Sequence, residues 1–228
     1  MSSSELRREL PGAGHALFTD RSHGNLSSVG GDGAEHGEQA REDLRELLGL
    51  RRLARGFQVH GIAVRRIDDE SEGDPDTTAR VEADGQATTL AGVGAMVLGA
   101  DCLPVALGCS GAVGMVHAGW RGLAAGVLEE GVRAVGELGH GEEIVAIVGP
   151  CAGVCCYEVG SEVHDAFAGA HREGARIDLR AIAHERLLAA GVIEVRDVLA
   201  CTICDERFFS HRREGERAGR QAGVAWLS

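Results

Sequence analysis

A chain of 228 residues, 44% of them hydrophobic, is long enough for one domain with a buried core. Its formal charge of −12 would repel a nucleic-acid polyanion, and the arginines are scattered, with Arg65–Arg66 and Arg212–Arg213 only pairs. All 23 basic residues are arginine, so the chain can carry neither a P-loop lysine nor a pyridoxal-phosphate Schiff base.

The seven cysteines are odd in number. The opening MSSSELRREL is charged and has no apolar signal core, and no run of about 18 apolar residues appears. These features predict a cytoplasmic protein with no membrane span, whose cysteines are thiols or ligands rather than a disulfide framework.

In chain order, residues 24–37 are glycine-rich and read as a loop. Residues 38–48 space Leu44, Leu47 and Leu48 as a helix closed by Gly49. Residues 56–67, with Phe57, Val59 and Ile62–Val64, read as a strand, and 68–76 as an acidic turn. Residues 104–107 and 112–116 read as buried strands joined by a turn at 108–111.

Residues 121–138 carry Leu123, Val127, Ala134 and Leu138 at helical spacing, although Gly126, Gly131 and Gly136 each weaken a helix by about 1 kcal/mol. A strand at 144–148, helices at 158–168 and 178–190, and a last strand at 198–203 complete the pattern. Interleaved strands and helices predict a mixed α/β (α+β) fold, a single domain with mixed β-sheets flanked by helices. Strand order does not follow from the sequence.

His60 lies in Q-V-H-G, Cys102 in A-D-C-L-P just before a strand, and His117 in V-H-A-G-W-R-G where a strand gives way to a helix. Two imidazoles and a thiolate suit Zn²⁺ or Cu²⁺, and three protein ligands leave a position open, as catalytic sites do. Spacing alone does not select this trio. Cys151, Cys155, Cys156, Cys201 and Cys204 could equally supply a closed four-cysteine zinc centre, and Cys201-x-x-Cys204 could be redox-active.

H-A-G-W-R-G, with A-D-C-L-P before it and V-G-P-C-A-G-V-C-C-Y-E-V-G after it, resembles the laccase-domain family. That family was labelled multicopper polyphenol oxidase and later purine nucleoside phosphorylase, and one branch is called a peptidoglycan editing factor. F-T-D-R at 18–21, Q-V-H-G, E-A-D-G around Asp84, I-D-L at 177–179, C-T at 201–202, F-F-S-H-R-R at 208–213 and G-R at 219–220 follow in family order. The resemblance covers most of the chain and implies one laccase-like domain over residues 1–228.

It also implies that His60, Cys102 and His117 hold the metal, usually zinc. Cys151 and Cys156 would then line or support the pocket, and replacing Cys201 and Cys204 by serine should leave metal content intact. The implied activities are phosphorolysis of adenosine, inosine, guanosine and methylthioadenosine, with adenosine deamination alongside. The partners are thus purine nucleosides and phosphate, in a monomer or small homo-oligomer. The chain departs from the family between Arg21 and Glu38, where the loop is short; Asn25 is the candidate to replace the family's substrate-side asparagine.

Roles follow from residue chemistry. Arg121, beside His117 at a predicted helix start, is the candidate phosphate holder, with Arg212 second. Asp84 is a candidate general acid/base or a partner for an imidazole. Trp120 is a candidate to stack on a purine, and Asp101 to orient the Cys102 segment. Histidines outside the motifs, His164 among them, are expected at the surface.

Three other functions remain in view. A copper polyphenol oxidase would need many histidines, often in H-x-H pairs; the chain has ten and no H-x-H. Cys102 assisted by His117 could serve a cell-wall or amide hydrolase. The thiols of 151–204 could build a non-enzymatic redox or metal-sensing module.

Overall fold

The computed structural model describes residues 6–67, 81–141 and 143–228. The acidic turn read at 68–76 lies outside the described residues. The strands are β1 (Arg7–Leu10), β2 (Gly14–Phe18), β3 (Arg52–Ala54), β4 (Val64–Ile67), β5 (Gly85–Thr88), β6 (Val93–Gly99), β7 (Leu103–Cys109), β8 (Ala112–Ala118), β9 (Val145–Val148), β10 (Arg172–Glu173), β11 (Arg176–Ile177), β12 (Glu194–Asp197) and β13 (Gln221–Leu227). The α-helices are α1 (Gly37–Leu47), α2 (Trp120–Ala125), α3 (Val127–Leu138), α4 (Ser161–Ala166), α5 (Leu179–Ala189) and α6 (His211–Glu214).

Two mixed sheets form the frame. One runs β1-β2-β13-β6-β3 and the other β12-β9-β7-β8-β5-β4, with β10 and β11 as a small separate hairpin. Alternation along the central strands decides the layering. On β7 and β8, Val105, Leu107 and Val116 pack against Leu128 and Val135 of α3 and Ile182 and Leu187 of α5. Ala106, Val113 and Met115 point the other way, onto Phe18, Met96 and Val224 of the first sheet. The second sheet is thus covered on both faces, which is why its strands read as continuous apolar runs. Each fully buried leucine or valine contributes about 1.5–3 kcal/mol. This is the expected mixed α/β architecture.

Local differences from the sequence reading have physical causes. The helix expected over 121–138 is two helices, broken where Gly126 takes φ +107°, a left-handed conformation that glycine adopts without a Cβ clash. The strand expected over 56–67 is confined to β4. Phe57 makes only an isolated bridge to Glu82, and residues 58–63 form a turn. The strand expected over 198–203 does not form: β12 lies just before it, pairing parallel with β9, Cys201 makes only an isolated bridge to Cys151, and the last strand is β13. His164, expected at the surface, is buried.

Candidate metal centre

The β7–β8 hairpin sets the geometry of the centre. Its register pairs Leu103 with Ala118 and Pro104 with His117, so Cys102, one residue before β7, comes alongside the exit of β8. His60 arrives from the turn ahead of β4. The ligating atoms of His60, Cys102 and His117 all lie within 4.8 Å of one another, with Cys102 Sγ 3.9 Å from His60 Nε2. The two imidazole rings meet edge-on, centroids 4.9 Å apart.

Asp84 builds the centre from beneath. It precedes β5, which pairs with β8, and its carbonyl accepts the His117 main-chain N–H at 2.6 Å. Its fully buried carboxylate accepts four further bonds. Oδ1 takes His117 Nδ1–H at 2.8 Å and the His60 N–H at 3.0 Å; Oδ2 takes the N–H groups of Val59 at 3.1 Å and Gly61 at 2.8 Å. Burial alone would raise its carboxyl, but the bonds from His117, Gly61 and Val59 hold it below the usual carboxylate range. Asp84 therefore fixes the His117 tautomer with the proton on Nδ1, leaving Nε2 as a ligand. It also holds His60 at φ +60°, a conformation costing about 1–2 kcal/mol in a non-glycine residue. With both oxygens committed, Asp84 is a positioning residue rather than a free acid/base.

The electrostatics match a cation-binding donor set. Burial opposes ionisation of Cys102, yet His117 and His60 lower its thiol to about 6. Burial opposes the His117 cation, yet the Cys102 thiolate and Asp84 lift it to about 9. A thiolate, one imidazole with its tautomer fixed and a second imidazole at the exposed edge suit a divalent metal in number and chemistry.

Gly119 makes room for them. A Cβ there would lie 2.5 Å from His60 Cδ2 and 3.2 Å from Cys102 Sγ. Gly119 has φ −70°, so alanine suits its backbone and only the site should suffer. Gly119→Ala is expected to weaken metal binding about 10- to 100-fold with the fold intact. Competition against a chromophoric chelator, with circular dichroism, checks this; unchanged affinity would mean His60 is not a ligand.

The other predicted residues divide. Trp120 is half-buried against the core, and the exposed Arg121 stacks over it, guanidinium carbon 4.2 Å from the ring centroid. A purine stacking on that face would displace Arg121. Arg212 stacks over Tyr157 at 4.9 Å and donates to the Glu158 carbonyl at 2.6 Å. Tyr157 was given no role from sequence. Burial and then the nearby Cys102 thiolate raise its phenol, which places it within electrostatic reach of the centre. Its signal was the C-C-Y-E-V-G motif.

Asp101 does orient its segment. It accepts from Thr202 Oγ1 at 2.6 Å and from the Arg212 N–H at 2.8 Å. Asn25 does not meet the expectation of a substrate contact. Its Oδ1 accepts from the N–H groups of Ser27 and Arg220, and its Nδ2 donates to the carbonyls of Gly30 and Asp32, so the amide is spent organising its own loop. Arg21 of F-T-D-R donates to the Phe208 carbonyl and pairs with Glu214, which explains why the first and late motifs occur together. A cleft of about 770 Å³ lies elsewhere, between α1 and residues 51–55, and is lined mainly by arginine and glutamate.

A mixed two-sheet fold presenting a two-histidine, one-cysteine centre at a strand exit defines a candidate metalloenzyme. The family model described as multi-copper polyphenol oxidoreductase laccase matches residues 12–228, and the chain belongs to that family. A Xylella fastidiosa protein named purine nucleoside phosphorylase is 40% identical over all of this chain and 92% of its own length. The Escherichia coli protein named purine nucleoside phosphorylase YfiH is 36% identical over 89% of this chain and 86% of its own. The crystal structure of Neisseria meningitidis protein NMB0706 superposes with a TM-score of 0.81 at 31% identity, covering 96% of both chains.

Proposed function

We propose that the chain is a metal-dependent purine nucleoside phosphorylase with adenosine deaminase and methylthioadenosine phosphorylase activities, acting as one domain at the His60–Cys102–His117 centre. The carrying observation is that trio, its two histidines held by Asp84 and its donor atoms within 4.8 Å of one another. The names of relatives at 36–40% identity point the same way. A zinc ion bound there would supply Lewis acidity at its open fourth position.

The chain's own residues do the rest. Arg121 and Arg212 provide guanidinium forks for phosphate, and a base that displaces them would find the flat faces of Trp120 and Tyr157. In phosphorolysis a phosphate oxygen bonds to the ribose anomeric carbon, the bond to the base breaks, and the base leaves with a proton. Holding phosphate close to that carbon is the main catalytic demand. We place the protein in the reduced cytoplasm, since none of the seven cysteines is joined in a disulfide. Among the described residues no helix is long and apolar enough to cross a membrane.

Incubation with adenosine, inosine, guanosine or methylthioadenosine should release free base only when phosphate is present, and adenosine alone should release ammonia. No phosphate-dependent base release from any of the four would overturn the proposal. Phenol oxidation with bound copper would instead support the oxidase. Arg121→Lys should reduce phosphorolysis more than deamination, by about 10-fold or more, because lysine loses the bidentate fork. Equal loss of both would make Arg121 structural.

A second reading has one observation in its favour. Without metal, Cys102 at about 6 and His117 at about 9 form a thiolate–imidazolium pair, the resting state of a cysteine nucleophile. Metal-stripped protein that keeps full activity and is inactivated by alkylation at Cys102 would favour it.

A further inference from the structure

We propose that Cys155, Cys156, Cys201 and Cys204 form a second, closed metal site: a structural tetrathiolate zinc centre that clasps the 153–157 turn to the 201–205 turn. Their four sulfurs all lie within 4.8 Å of one another. The Sγ separations are 3.5 Å for Cys155–Cys156, 3.5 Å for Cys155–Cys204, 3.4 Å for Cys156–Cys201 and 3.1 Å for Cys156–Cys204. A disulfide needs about 2.05 Å, so no pair is bonded. Zinc with bonds of about 2.3 Å to sulfur spans a tetrahedron with edges of about 3.8 Å, so these four separations would open by about 0.3 to 0.7 Å.

Backbone groups hold the two turns around the sulfurs. The Gly153 N–H donates to Cys201 Sγ at 3.2 Å, the kind of outer bond that orients a metal-bound sulfur. A Cβ on Gly153 would sit 3.2 Å from both Cys155 Sγ and Cys201 Cβ, so glycine leaves space for the sulfurs. Arg176 donates to the Cys155 carbonyl at 2.8 Å, and Arg213 to the Thr202 and Ile203 carbonyls at 2.8 and 2.9 Å. These bonds fix the backbone of both turns.

Cys151 is excluded from the site. It is buried, its thiol is pushed up to about 12 by burial, and its sulfur accepts from Arg180 at 3.1 Å. Four thiolates leave no position for water or substrate, so this centre is structural where the histidine–cysteine centre is open. It also bears on that centre. Cys156 precedes Tyr157, and Thr202 bonds Asp101 beside Cys102, so the clasp holds one wall of the active site. The expectation that replacing Cys201 and Cys204 leaves metal content intact is thereby reversed.

Binding converts four thiols to thiolates and releases their protons, and no electrons move. The test uses full-length protein purified under reductant and assayed for zinc per chain. Wild type should carry two equivalents, one per centre. Cys201→Ser with Cys204→Ser should lose one and keep the other. Cobalt replacing the remaining zinc in that variant should lose the tetrathiolate charge-transfer and visible bands. Should the variant fail to fold, wild type still decides the matter. Cys155, Cys156, Cys201 and Cys204 should resist alkylation until a chelator is added, as mapped by peptide mass. One zinc in wild type with these thiols freely alkylated, or a Cys156–Cys204 disulfide in its place, would overturn the proposal.

Discussion

Each of His60→Ala, Cys102→Ala and His117→Ala is expected to cost the protein one equivalent of metal and to bring adenosine deamination to background. The three ligands come from separate segments, but their donor atoms share one small volume, so they should behave as a unit. Any pairwise combination should therefore add little to the first loss. The fold should survive in all three, because Val105, Val113 and Ile147 are fully buried in the sheets and an open catalytic metal does not hold a core together. Metal affinity should also fall in acid, as protons compete for the thiolate and the imidazoles. Metal per chain, ammonia release and circular dichroism on the three variants check this. Full metal and full activity in Cys102→Ala would require another active site.

Half of this centre was legible in the sequence. Two apolar runs joined by a glycine turn make a hairpin, and its register, Pro104 opposite His117, brings Cys102 beside the exit of β8. His60 was legible only through its Q-V-H-G motif, not through the spacing around it. Phe57, Val59 and Ile62 imitate a half-buried strand, yet they are 57%, 42% and 47% exposed, because the turn they occupy is tied to Asp84 rather than to a sheet. Periodicity cannot reveal a turn organised by a carboxylate more than 20 residues downstream. Similarly, Val198–Ile203 looks like a strand, but Leu199 is 73% exposed and the parallel pairing is taken by the polar Glu194–Asp197 edge.

The cysteine cluster was undecided for a different reason. Five cysteines offered more than one four-membered set, and only the Cys151–Cys201 bridge brings the two turns together while turning Cys151 itself inward. That bridge is non-local and leaves no mark on either segment alone.

Asp84 separates a catalytic from a positioning carboxylate most sharply, and Asp84→Asn is expected to weaken metal binding about 10- to 100-fold. Each carboxylate oxygen accepts two N–H donors, whereas an asparagine amide has one oxygen and one NH₂ group. If the NH₂ faces Val59 and Gly61, the turn loses its anchor and His60 loses the support for its left-handed backbone. If it faces His60 and His117, the Nδ1–H of His117 meets a donor, the proton moves to Nε2, and the ligating lone pair is lost. Either arrangement leaves buried donors unpaired, at about 1–3 kcal/mol of stability each. Zinc affinity by chelator competition and the His117 tautomer by nitrogen NMR read the two cases directly. Arg121→Lys, which touches no ligand, should keep wild-type metal in the same assay. Asp84→Asn with unchanged metal affinity and tautomer but lost turnover would make Asp84 the acid/base that its motif first suggested.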